Sequence, residues 1–197
     1  MKQIEPLTND YKQAVREAAE VVKKGGIILY PTDTIWGLGC DATNEQAVQR
    51  IYKIKKRAES KSMLILIDTD AKLSGLMEEV PSIAYDLIDA SVSPLTIIYP
   101  KGRNVAPSLL SEERTIGIRI TKEAFSQALC KAIRVPLVST SANLSGDSSP
   151  SIFSEISSEI KDAVDYIVPV RQKETTPAKA SQIIALGVHG EVKIIRS

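Results

Sequence analysis

Three polar blocks in this chain combine residue types that can hold a small polar or phosphorylated molecule. The first is Thr32-Asp33-Thr34, which follows the apolar run Ile27 to Tyr30 and Pro31 and precedes Ile35-Trp36-Gly37-Leu38-Gly39. Its hydroxyls and carboxylate can bind a ligand, a cation or nearby backbone amides. The same residues suit a turn capped by its own Thr and Asp side chains. The second block places Lys55, Lys56, Arg57 and Lys61 within seven positions, a density of fixed donors that polyphosphate favours. A solvated surface patch would look the same. The third is the polar loop Ser141 to Gly146, opened by Ser139-Thr140.

Other chemistries find little support. There is no Walker A sequence, and Gly37-Leu38-Gly39 is too short for a dinucleotide fingerprint. His189 is the single histidine and sits in Gly187-Val188-His189-Gly190, which reads as a hairpin turn, so a Ser-His or Cys-His mechanism would depend on that one imidazole. Cys40 and Cys130 are too few and too far apart for a disulfide framework or a Cys-rich zinc site. A net charge of +1 gives no global field toward nucleic acid.

The elements that must position these residues follow from periodicity. The 197 residues, 43% hydrophobic and 25% charged, read as one soluble domain over 1–197. No apolar run reaches the roughly 18 residues of a membrane helix, and Met1 to Asp10 lacks the apolar segment of a secretory signal; the expectation is a cytoplasmic protein. Asn9 or Asp10 can cap a first helix ending at Gly25, and Thr43 or Asn44 a second. On the second, Val48, Ile51, Tyr52 and Lys55 share a face, which sets a cation on an apolar stripe. Ile27 to Tyr30 suits a strand buried on both faces of a mainly parallel sheet. Further strands are expected at Met63 to Ile67, Leu95 to Tyr99, Thr115 to Ile120, Pro136 to Ser139 and Tyr166 to Val170, with a final hairpin from Ser181 to Leu186 and Val192 to Arg196. Helices are expected near 71–77, 81–89, 122–133 and 152–162, and Arg171 to Lys179 as a mobile loop. In Thr115 to Ile120, three isoleucines face one way and Thr115, Gly117 and Arg119 the other, giving Arg119 room for an anion. Alternating strands and helices with a terminal hairpin argue for a mixed, twisted α/β sheet.

Pro31 to Gly39 resembles the opening signature of the YrdC-like threonylcarbamoyl-adenylate synthases. Lys55-Lys56-Arg57 resembles that family's Lys-x-Arg element, and Ser141-Ala142-Asn143 its Ser-x-Asn element. The three blocks stand in the family's order, with weaker similarity over most of the chain. The resemblance implies the YrdC-like fold, a twisted mixed sheet with flanking helices around a large concave cavity. It further implies a nucleotidyltransferase that joins L-threonine, bicarbonate and ATP into threonylcarbamoyl-adenylate and pyrophosphate, for the threonylcarbamoyladenosine (t6A) modification of tRNA. By the same resemblance Lys55 and Arg57 are catalytic. Lys55, Arg57, Lys61, Thr115, Ser141, Asn143 and Arg196 hold the nucleotide, and Thr32, Arg119, Ser139 and Ser181 receive threonine. Mg2+ accompanies ATP, with Asp33 as its candidate ligand, and tRNA or double-stranded RNA and t6A-pathway proteins are candidate partners.

The chain departs from the family pattern at Trp36, Ser62, Val92-Ser93 and, above all, Leu66, where typical synthases carry a histidine near the threonine pocket. Two alternatives stay open: a double-stranded RNA-binding module, and a related adenylating or carbamoyl-transferring enzyme with another substrate.

Overall fold

The computed structural model describes residues 8–58 and 63–197. Lys61 and Ser62 lie outside them, as does the start of the chain. Helix α1 (Asn9–Lys23) is capped by Thr8, whose side chain accepts from the Tyr11 amide, one residue earlier than expected. Gly25 follows it at φ +80°, the left-handed conformation that only glycine adopts without steric cost. Strand β1 (Ile28–Tyr30) then leads through the Thr-rich loop into β2 (Gly37–Gly39), a strand not expected from its glycine-rich sequence. Glycine disfavours strands, but here it is required: a Cβ on Gly39 would stand 2.7 Å from Tyr30 Cε1 and 2.9 Å from the Val138 carbonyl oxygen.

Asn44 caps α2 (Glu45–Ile54), accepting from the Ala47 amide. Strand β3 (Leu64–Ile67), the short helix α3 (Leu73–Leu76), α4 (Ile83–Ala90), β4 (Leu95–Tyr99) and β5 (Ile116–Ile120) follow. Glu123 caps α5 (Ala124–Ile133), and β6 (Leu137–Ser141) runs into the Ser-x-Asn loop. The helix expected over 152–162 is instead a single tight turn and the short α6 (Ser158–Asp162). Ser157 is held extended and caps α6 through Ile160 N, so one continuous helix cannot form. Strand β7 (Tyr166–Ile167) ends before Pro169, and β8 (Gln182–Leu186) and β9 (Val192–Arg196) form the terminal hairpin, with His189 in its turn.

Among the described residues the strands join one sheet in the order β7-β1-β2-β6-β3-β5-β4-β8-β9. The expectation of a mainly parallel environment around β1 needs correction. β1 pairs parallel with β7 but antiparallel with β2, and β2–β6, β6–β3, β5–β4 and β8–β9 are antiparallel as well. The fully buried run Ile27 to Tyr30 reflects helices on both faces, not parallel pairing.

Alternation divides the apolar residues between two cores. Ile27, Leu29, Ile65, Ile67, Ile97, Ile118 and Val138 face α2, α3 and α4. Ile28, Tyr30, Leu66 and Leu137 face the packed pair α1 and α5. That pair covers only part of its face. Over β4, β5, β6 and β8 the sheet carries Thr96, Gly117, Arg119, Ser139 and Ser141, and there a cavity opens.

Candidate active site

The cavity encloses about 410 Å³, within the range of small-molecule sites. Strand β5 contributes Gly117 and Arg119, with Thr115 just before it, and the alternation read from sequence is the one observed: Ile118 and Ile120 lie on the opposite face. Gly117 keeps the floor low, since a Cβ there would only reach ordinary contact with Leu64 Cβ at 3.4 Å. Ser139 and Ser141 enter from β6, Arg57 from the turn after α2, and Ser181 and Arg196 from the terminal hairpin. Seven of the residues singled out from sequence (Arg57, Thr115, Arg119, Ser139, Ser141, Ser181 and Arg196) thus line one cavity.

The cations are separated in function by their partners. The Arg196 guanidinium donates twice to the Ser181 carbonyl oxygen, at 2.9 and 2.7 Å, which ties the two arms of the hairpin together at its open end. The Ser181 hydroxyl shares a 2.8 Å hydrogen bond with Thr96. Thr96 escaped the sequence reading, although a lone hydroxyl within Leu95-Thr96-Ile97-Ile98-Tyr99 was a signal. Arg119 is 3% exposed and ion-paired to Asp33 through Nη2 at 3.0 Å, while its Nε is buried without a hydrogen-bond partner. A planar guanidinium whose Nε has no partner is suited to a carboxylate.

Among the described residues, Lys55, Asn143, Thr32 and Asp33 lie off the cavity wall. Lys55, only 1% exposed, donates from Nζ to the carbonyl oxygens of Ser141 and Asn143 (2.6 Å for the latter) and to Asn143 Oδ1 at 3.2 Å. Its three donors are spent on the Ser-x-Asn loop, so it shapes the loop that borders the cavity instead of lining it. Burial, and then the Arg57 charge, lower the Lys55 ammonium to about 8, against the three oxygens that favour its charged form. Asn143 closes the same network, accepting from Ser141 Oγ at 2.5 Å and donating to the Asp147 carbonyl oxygen at 2.7 Å.

Thr32 donates to the Ile35 carbonyl oxygen at 2.7 Å and accepts from the Thr34 amide at 3.0 Å. It is the self-capped turn that the sequence also allowed. Asp33, expected as a magnesium ligand, is committed to Arg119, and no group of three or more His, Cys, Asp or Glu suited to a metal occurs among the described residues. Arg171 opens the exposed segment 171–179 and is anchored to the same turn, donating to the Thr32 carbonyl oxygen at 2.9 Å and pairing with Glu174 at 2.8 Å. Leu66 is fully buried beside Tyr30 and Phe125 and does not line the cavity, whereas Leu64 on the same strand does. Trp36 lines the cavity with its ring 4.8 Å from that of Phe153.

The profile of the Sua5/YciO/YrdC family, described as telomere recombination, matches residues 20–197. A protein from Idiomarina loihiensis named threonylcarbamoyl-AMP synthase is 36% identical over 156 residues, 77% of this chain and 83% of its own length. The chain belongs to the Sua5/YciO/YrdC family. Among solved structures, P. abyssi Sua5 complexed with L-threonine superimposes with a TM-score of 0.80 at 26% identity, over 92% of this chain and 52% of its own. E. coli YciO gives 0.81 at 28% identity over 94% and 89%. The chain thus spans only about half of the Sua5 polypeptide, and nearly all of YciO. No helix among the described residues is long and apolar enough to cross a membrane.

Proposed function

We propose that this chain is a threonylcarbamoyl-AMP synthase, converting L-threonine, bicarbonate and ATP to threonylcarbamoyl-AMP and pyrophosphate. The observation that carries this reading is the polarity of the cavity. The buried Arg119 guanidinium, its Nε without a partner, lines the same cavity as Arg57 and Arg196, together with the hydroxyls of Ser139, Ser141 and Ser181, and the Lys55-held loop borders it. The relatives named for this activity support it, as does the threonine complex of Sua5.

In this arrangement Arg119 takes the threonine carboxylate, and Ser139 and Ser181 surround the amino acid. The threonine amine captures the one-carbon unit as a carbamate, whose oxygen attacks the α-phosphorus of ATP. Arg57 stabilises the charge that grows on the departing pyrophosphate, a task that oriented cations do without reorganising. Lys61 is assigned to the same phosphates on resemblance alone, being outside the described residues. Thr115, Ser141 and Asn143 hold the nucleotide, with Arg196 beside it. No protein nucleophile takes part, and positioning two substrates in one cavity supplies much of the rate. Magnesium enters with ATP as part of the substrate; the described residues offer no ligand set of their own for it, and no step is assigned to it.

Pyrophosphate release by the purified protein that requires ATP, L-threonine and bicarbonate together tests the proposal. Release that ignores threonine, or none beside an active control synthase, overturns it.

A further inference from the structure

A second cavity of about 310 Å³ lies on the opposite face of β4 and β5. Its wall is apolar, built by Ile97, Ile118, Ile120, Leu95 and Ile88, with Tyr99 beside them. These are the alternate residues of the strands whose other faces, at Thr96, Gly117 and Arg119, line the active cavity, so the two spaces stand back to back across a single sheet. The charged groups at the second cavity are Asp33, Glu123 and Lys122. Glu123 is occupied, accepting from the amides of Phe125 and Ser126 at 3.1 and 2.7 Å and facing Arg171 at 3.5 Å. Lys122 is exposed to solvent. Asp33 differs: its side chain is 12% exposed, and its Oδ1, which makes no hydrogen bond, lies 3.0 Å from Arg119 Nη2 of the other cavity in its one ion pair among the described residues.

We propose that this second cavity binds a small apolar amine, whose hydrocarbon body lies between the isoleucines and whose ammonium pairs with Asp33. An apolar chamber with one under-satisfied carboxylate discriminates by charge, because a neutral isostere fills the volume but leaves the carboxylate unsatisfied. The site is coupled to the active cavity through one ion pair. An ammonium at Asp33 competes for the carboxylate that now balances Arg119, and a less compensated Arg119 attracts the carboxylate of an amino acid more strongly. Linkage requires the reverse as well: a carboxylate on Arg119 releases Asp33 toward the amine.

The binding half of this inference stands apart from the synthase reading, and the experiment keeps them separate. The full chain, labelled at isoleucine methyl groups, is titrated with phenethylamine and, in parallel, with its neutral counterpart 2-phenylethanol. Shifts at Ile97, Ile118 and Ile120 are expected with the amine, with at least about tenfold weaker binding of the alcohol. They should vanish in Ser93→Trp, which fills the cavity mouth from an exposed loop without touching the active cavity. Equal binding of amine and alcohol, no methyl shifts at millimolar amine, or unchanged shifts in Ser93→Trp would overturn the site. With amine bound, L-threonine affinity is expected to rise by about fivefold or more. An unchanged threonine affinity would overturn the coupling. Absence of threonine binding with or without amine would overturn the synthase proposal and leave the amine result to decide the site.

Discussion

Lys55 Nζ reaches the backbone carbonyl oxygen of Asn143 at 2.6 Å across 88 positions of sequence, and the same ammonium holds the Ser141 carbonyl oxygen and Asn143 Oδ1. The Lys-x-Arg and Ser-x-Asn blocks are therefore one structural unit. Lysine supplies the donor to the Asn143 carbonyl oxygen and adds one to the Ser141 carbonyl oxygen, which also accepts from the Asn143 amide, and Arg57, two residues on, lines the cavity.

Lys55→Met should leave the Asn143 carbonyl oxygen without its donor, at about 1–3 kcal/mol. We expect lower stability in chemical denaturation together with weaker ATP binding by calorimetry, even though Lys55 does not line the cavity. Wild-type ATP affinity in a folded Lys55→Met chain would contradict the anchoring role.

The same lysine sets a pH dependence. Its folded-state pKa is lowered to about 8 from 10.5, so between those values the unfolded chain binds more protons than the folded one. In that window this group makes stability rise with pH, while below about pH 8 the cost of burying the charged form is felt in full. The wild-type chain should accordingly gain stability relative to Lys55→Met on going from pH 8 to pH 10. Deprotonation also removes one donor from the loop, so ATP affinity should fall through about pH 8. A flat affinity profile in wild type would argue against this titration.

Arg119→Lys keeps a positive charge opposite Asp33 but loses the planar fork. Threonine binding should weaken by about 1.5–3 kcal/mol, the range for hydrogen bonds to charged groups, with ATP affinity unchanged. Titrations of the two ligands separately make the comparison, and equal losses for both would show a general structural fault.

Gly39 of β2 and Gly117 of the cavity floor should respond differently to alanine. Gly39→Ala drives a methyl into the Tyr30 ring and the Val138 carbonyl, which should destabilise the chain by about 1–3 kcal/mol. Gly117→Ala meets only ordinary contacts, so the fold should survive while the cavity floor rises and ligand affinity drops. Thermal melts and ligand titration of both variants separate the effects.

Leu66→His would place the histidine of typical family members on β3. Because Leu66 is fully buried with Tyr30, Phe125 and Cys130, the imidazole should cost about 1–3 kcal/mol and bring no gain in threonine use. A stable variant with a lower threonine KM would show that the cavity extends to this position.

The amino-acid sequence by itself determined the alternation of β5, the start of α2 at a cap of Thr43 or Asn44, the placement of Lys55 on an apolar helix face and the terminal hairpin. Each is a local property, written in side-chain period and capping chemistry over a few residues. The three family motifs were equally legible, being short and ordered. Only the tertiary structure decided which polar residues share a cavity. Thr32 turned inward to cap its own loop, and Asp33 pairs with Arg119. Thr96 joined Ser181 from a strand that reads as plain core. Strand β2 was hidden because its glycines carry no strand propensity and are needed only where Tyr30 and Val138 press against them. Those outcomes depend on pairings across many tens of residues, and a pattern with a period of two or 3.6 residues carries no information about which distant partner will satisfy a buried polar atom.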